Sequence, residues 1–144
     1  MVENIENLLI PPAYHKCRRT HELWKETCFE FFLRLPNSPQ YWEFNLSPSG
    51  DWNVYHFDDY RKGMKEETRY TYPQLLFASI KQEDALILTG QIDLSAIVSP
   101  KQVVEMAVSA VTKFKNGDII YWALTHPDKE ADFHHRDSFT ITLD

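Results

Sequence analysis

The sequence predicts a mostly β protein, an antiparallel β-sandwich of the jelly-roll or immunoglobulin-like kind, with a short helix near 99–108 as the one competing local reading. Three observations carry that prediction. Short runs alternate apolar and polar residues and stop at turn-forming clusters, the pattern of strands with one buried face. Consecutive runs begin about eleven residues apart, a spacing that suits a sandwich. An Asn116-Gly117 pair stands between two apolar runs and is the strongest short-range hairpin signal in the chain.

Residues 1–22 read as an irregular lead-in and 23–144 as the domain. The basic run His15-Lys-Cys-Arg-Arg19 is expected to be a solvated approach to the first strand. Thr27 to Leu35 alternates, with Phe29, Phe31 and Leu33 on one face and Cys28, Glu30 and Phe32 on the other, and it ends at Pro36-Asn-Ser-Pro39. Tyr41 to Leu46 puts Trp42, Phe44 and Leu46 opposite Tyr41, Glu43 and Asn45, then stops at Ser47-Pro-Ser-Gly-Asp51. Trp52 to Phe57 completes a meander of three strands. The polar stretch from Asp58 to Tyr72 reads as a surface loop or weak edge strand, and Leu75 to Lys81 with Ala85 to Ile92 as a hairpin. Ser99-Pro-Lys-Gln102 has a capping-box pattern, and Val103, Val104, Ala107, Val108, Val111 and Phe114 recur at helical spacing. The strand reading instead puts Val104, Met106, Val108 and Ala110 on one face and supplies a partner for the Asn-Gly hairpin; strand is expected from about Val104 onward. Ile119 to Leu124 is the second strand of that hairpin, with positive φ expected at both Asn116 and Gly117. Ser138 to Leu143 is the last strand.

At 144 residues the chain suits a single domain. Hydrophobic residues at 43% and charged residues at 25% exclude a disordered or fibrous protein. The net charge of −6 has the wrong sign for gripping phosphates, so neither nucleic acid nor an anionic membrane is an expected partner. The opening run lacks the basic and apolar regions of a secretory signal, which makes a cytoplasmic location the expectation. Cys17 and Cys28 have no metal-ligand spacing and read as reduced, structural thiols. Aromatic residues make up 14%, enough for some rings to face a ligand.

Five segments, Leu23-Trp-Lys-Glu-Thr-Cys-Phe-Glu-Phe-Phe, Glu43-Phe-Asn-Leu-Ser-Pro-Ser-Gly-Asp-Trp, Tyr60-Arg-Lys-Gly-Met64, Tyr121-Trp-Ala-Leu-Thr-His-Pro127 and Asp132-Phe-His-His135, together resemble the bacterial DOMON-like proteins, relatives of the DOMON and family 9 carbohydrate-binding module superfamily. The resemblance runs in order from about Leu23 to Leu143. It implies a β-sandwich that binds a ligand without transforming it; ligands in the superfamily are sugars or haem. Family members carry additional strands ahead of the segment matching Leu8-Leu-Ile-Pro-Pro12, so missing N-terminal strands, an exposed sheet face and a homodimer through that face are further expectations.

Sugar recognition calls for a flat aromatic face and planar groups that hydrogen-bond hydroxyls in pairs. Trp52, Tyr55, Tyr60 and Arg61 offer that chemistry within ten residues, with Glu43 and Asn45 as polar partners. The plainer alternative makes Trp52 and Tyr55 core and pairs Arg61 with Asp58 or Asp59. Glu30 and Glu43, on neighbouring strands, share a face if those strands pair; such carboxylates suit a solvated or arginine-paired role, a ligand or cation contact, or acid/base catalysis. Asp132-Phe-His-His-Arg-Asp137 with His126 has metal-ligating residue types, but His134 and His135 point to opposite sides of an extended segment. A similar stretch precedes the last strand of family 9 modules, which favours a structural role: Phe133 anchors the loop while Asp132 and His134 satisfy backbone groups. Met64, Met106, His56 and His134 are the available haem ligands, and no pair has a telling spacing. The reading is a non-catalytic domain for a small polar ligand, in first place a carbohydrate, with no cofactor and no metal. Its alternatives are an enzyme or metal-dependent protein using Glu30/Glu43 or the His134 loop, and a haem-binding or partner-completed domain.

Overall fold

A computed structural model describes residues 5–13, 16–71 and 75–144, the Leu75 side chain excepted. Residues 1–4 of the opening run, His15 of the basic run and residue 72 of the polar stretch lie outside the described residues. Among the described residues nine strands form: β1 (Cys28–Arg34), β2 (Tyr41–Leu46), β3 (Trp52–Phe57), β4 (Lys65–Glu66), β5 (Leu75–Lys81), β6 (Leu86–Ile92), β7 (Val104–Lys113), β8 (Ile119–Ala123) and β9 (Ile141–Leu143). The large sheet runs β4-β3-β2-β1-β7-β8, and β5-β6 is a separate hairpin. All pairings between these strands are antiparallel. β8 and β9 lie end to end on the outer edge of β7: β9 pairs with Val104 to Met106 and β8 with Ser109 to Lys113. No helix of the described residues is long and apolar enough to cross a membrane.

Period-two patterning places the core. Leu33, Trp42, Phe44, Leu46, Trp52, Val54 and Val104 face one side of the sheet, and Phe77, Leu88 and Ile92 of the hairpin pack across them as the second layer of the sandwich. Phe31 stacks on Phe44 at 4.2 Å, and Tyr70 meets Phe44 edge-on at 5.3 Å. The other face buries Phe32, Tyr41, Tyr55, Phe57, Ala107 and Phe139, with Trp24 and Phe133 closing over them from loops rather than from a sheet.

The strand expected from about Val104 onward forms as β7, while its competing helical reading and two other local expectations do not hold. The Ser99-to-Gln102 pattern does make a capping bond, Ser99 N donating to Gln102 Oε1 at 2.8 Å, but Lys101 is left-handed with φ 72, which ends the turn after one cycle. The helical spacing beyond it is overridden because β7 gains partners on both edges. In the Asn116-Gly117 turn only Gly117 has positive φ, at 92, and Phe114 N donates to Asp118 O at 2.9 Å: this is a three-residue loop with a left-handed glycine, not the two-residue turn. Arg19 is no solvated lead-in. Its guanidinium donates to Asn53 Oδ1 and to the carbonyls of Glu67 and Tyr70, and it lies 4.4 Å from the Trp52 ring centroid. The polar stretch supplies the weak edge strand β4.

Candidate functional site

The second face of the sheet carries an unusual density of polar groups. β1 places Glu30 opposite Asn45 of β2 and Ser109 of β7, and β2 places Glu43 opposite Tyr55 of β3. Alternation along each strand puts Glu30, Glu43, Asn45 and Tyr55 on this one face, with Glu30 and Glu43 as diagonal neighbours across the β1–β2 ladder. Each glutamate is only 5% exposed.

Above the two carboxylates lies a cavity of about 400 Å³, within the range of small-ligand sites. Glu30 and Glu43 form part of its lining, together with the rings of Trp24, Phe57, Tyr121 and Phe133 and the side chains of Arg61 and His134. Trp24 comes from the turn at Leu23–Lys25, and Phe133 and His134 from the loop ahead of β9. That loop is folded around Asp132: its Oδ1 accepts from His134 N and its carbonyl from Ser138 Oγ. Asp132 therefore satisfies backbone groups as expected, whereas His134 turns to a side chain, its Nδ1 lying 2.8 Å from Tyr41 Oη.

A hydrogen-bonded strap borders the cavity at Arg61. Arg61, left-handed at φ 51, donates its backbone N–H to Tyr41 Oη at 3.1 Å and its Nη2 to Asp132 Oδ1 at 2.7 Å. Tyr60 donates its hydroxyl to the other Asp132 oxygen. The arginine is thus paired with Asp132 rather than with Asp58 or Asp59.

The electrostatics follow from burial. Glu30 is pushed up to about 8, first by desolvation and then by the charge of Glu43, while a hydrogen bond from Ser109 opposes the shift. Glu43 is pushed up to about 7 by desolvation, against the Asn45 hydrogen bond and the Arg61 charge. His134 is lowered to about 4 by burial and by Arg61, so it is neutral at pH 7 and its 3.7 Å approach to Glu43 is not an ion pair there. No lysine or arginine among the described residues forms an ion pair with either glutamate. Asn45 is fully buried and donates Nδ2 to Glu43 Oε1 at 3.0 Å, and its Oδ1 has no partner.

Of the six sequence candidates, Glu43 and Arg61 line the cavity. Asn45 supports Glu43 from the side, and Tyr55 is buried beside it, its hydroxyl accepting from Asn53. Tyr60 is 47% exposed and holds the strap. Trp52 is set apart: it is 3% exposed in the core of the opposite face. Trp24, Phe57, Tyr121 and Phe133 were not singled out as ligand contacts by sequence; Phe57 shares the parity of Tyr55, and the other three reach the site only through tertiary placement. The haem candidates do not converge, since His56 packs against Trp42 and Met106 against the first core while Met64 and His134 line the cavity. Among the described residues no three His, Cys, Asp or Glu side chains are grouped to hold a metal ion.

No protein-family model matches the chain, and no curated protein sequence does. Among solved structures, a candidate carbohydrate-binding protein from Bacteroides uniformis superposes with a TM-score of 0.60 at 13% identity, over 92% of this chain and 66% of that one. The chain spans just under two thirds of that protein, and at this identity the likeness is one of fold.

Proposed function

We propose that the chain is a non-catalytic ligand-binding domain of the DOMON-like and family 9 module type, and that the cavity over Glu30 and Glu43 takes a small carbohydrate. The observation that carries this reading is the pairing of a carboxylate floor with aromatic walls in one cavity of about 400 Å³. Planar oxygens accept in pairs from adjacent hydroxyls, and rings cover the C–H faces of a pyranose. The fold likeness to the candidate carbohydrate-binding protein of Bacteroides uniformis supports the same ligand class. Glu30, Glu43 and Arg61 are the polar contacts in this proposal, Trp24, Tyr121 and Phe133 the stacking rings, and Asn45, Tyr55 and Tyr60 position them. Trp52 is left out, because its ring lies on the far side of the sheet.

Calorimetric titration of the purified chain with mono- and disaccharides tests the proposal. Saturable binding of at least one sugar is expected, weakened tenfold or more by Tyr121→Ala, a half-exposed residue whose loss should spare the fold. Absence of binding across the panel would refute it. A second reading, glycoside hydrolysis, is favoured by one observation: two buried carboxylates with raised proton affinity share the cavity. Release of nitrophenol from nitrophenyl glycosides, lost in Glu30→Gln, would establish it over binding alone.

A further inference from the structure

The floor of the cavity has more acceptors than donors. Glu30 receives one neutral hydrogen bond, from Ser109 Oγ at 3.3 Å, and Glu43 one, from Asn45 Nδ2 at 3.0 Å. Asn45 Oδ1, sealed from solvent beside them, receives none. Buried carboxylates and amide oxygens are costly unless a donor completes them, and for carboxylates the complement that returns most is a cation. The described residues bring none: Arg61, the cation of the lining, has its guanidinium committed to Asp132 and Tyr60. Around this floor stand four aromatic rings, Trp24, Phe57, Tyr121 and Phe133, whose faces attract cations as well as C–H groups.

We infer that the ligand of this cavity carries an ammonium group, held over Glu30 and Glu43, so that an amino sugar is preferred to its neutral counterpart. This rests on the carbohydrate reading for the rest of the ligand but not for the charged group. An ammonium supplies several N–H donors to a floor whose oxygens are all acceptors once both carboxyls are ionised, and it supplies the countercharge that the protein withholds, releasing to solvent the proton that Glu30 holds at pH 7 in the free protein. A neutral hydroxyl would satisfy one oxygen and supply no countercharge, leaving Glu30 to hold the proton that its burial favours. An acetamido group offers a single N–H and no charge, and it adds a carbonyl facing acceptors.

The experiment is calorimetric titration at pH 7 with three hexoses, glucose, galactose and mannose, each alongside its 2-amino and 2-acetamido form, and with ethanolamine as a cation without a ring. The expected result is that one or more 2-amino sugars bind at least tenfold tighter than the matching neutral and acetamido sugars. Glu43→Gln and Glu30→Gln, each checked for a cooperative thermal transition, should erase that preference. Glu43→Asp keeps the charge and should retain part of it, which covers the case in which an amide variant fails to fold. Equal affinity for neutral and amino sugars overturns the inference and leaves the carbohydrate reading standing. Binding of ethanolamine without any sugar upholds the cation site and overturns the carbohydrate reading. A preference that survives in both amide variants overturns the placement at Glu30 and Glu43, and failure of every probe to bind overturns both.

Discussion

Replacing Glu30 by Gln should make the ligand-free protein more stable, and increasingly so as pH rises. Glu30 is ordinary when unfolded, near 4.5, and raised to about 8 in the fold. The native state therefore binds more protons than the unfolded chain across that interval, and stability falls as pH rises through it. At about 1.4 kcal/mol per pH unit, the interval from pH 5 to 8 costs the wild type on the order of 4 kcal/mol through this one group. Such a loss is a large share of the 5–15 kcal/mol that holds a typical domain together. Glu43 adds a loss of the same sign between 4.5 and about 7. His134 has the opposite sign: lowered from 6.5 to about 4, it contributes stability that is complete above pH 6.5 and is lost as pH falls toward 4. The difference between Glu30→Gln and wild type removes the His134 contribution, since both proteins carry it. Urea unfolding of the two at pH 5, 6, 7 and 8, followed by tryptophan fluorescence, gives that difference directly. It should be small at pH 5 and grow to several kcal/mol at pH 8. A difference that stays flat within about 1 kcal/mol over this range would refute the buried, unpaired carboxylate on which the reasoning rests.

Three further outcomes follow from the geometry. Trp52→Ala should cost about 3–5 kcal/mol in chemical denaturation, because its ring fills the first core under Arg19, while the affinity of the folded fraction for any cavity ligand is unchanged. Asp132→Ala releases Arg61 and Tyr60 together and unties the loop that carries Phe133 and His134; ligand affinity should fall by about tenfold, or about 1.4 kcal/mol, in the same calorimetric titration. Gly117→Ala forces a side chain into φ 92 with nothing crowding the added carbon, so the cost should be conformational alone, about 1 kcal/mol, read from the urea midpoint.

The strands were legible because their patterning is local. Phe29, Phe31 and Leu33 against Cys28, Glu30 and Phe32 state their two faces without help from the rest of the chain, and the shared face of Glu30 and Glu43 follows once β1 and β2 are adjacent. The Trp52–Tyr55 grouping failed by the same rule: residues three apart in a strand point to opposite sides, and only Tyr55 faces the side of Glu43. What sequence could not supply is which loops dock on that face. Trp24 and Phe133 lie at opposite ends of the chain, and Tyr121 reaches the cavity through the pairing of β8 on β7, far from β2 in sequence. The strand at Val104 was obscured because its small and branched residues suit helix and strand alike, and its partners decide.

The position of β7 has a consequence for how the chain matures. β1 to β3 can pair as soon as they are made, yet they present Glu30 and Glu43 to water until β7, β8 and the 131–139 loop arrive and close that face. Until then the two side chains are ordinary acids and stay ionised at neutral pH. Their burial, and the uptake of protons that goes with it, belongs to the final step of assembly, so a pH indicator in a weakly buffered refolding mixture would register completion of the fold separately from the earlier formation of the meander.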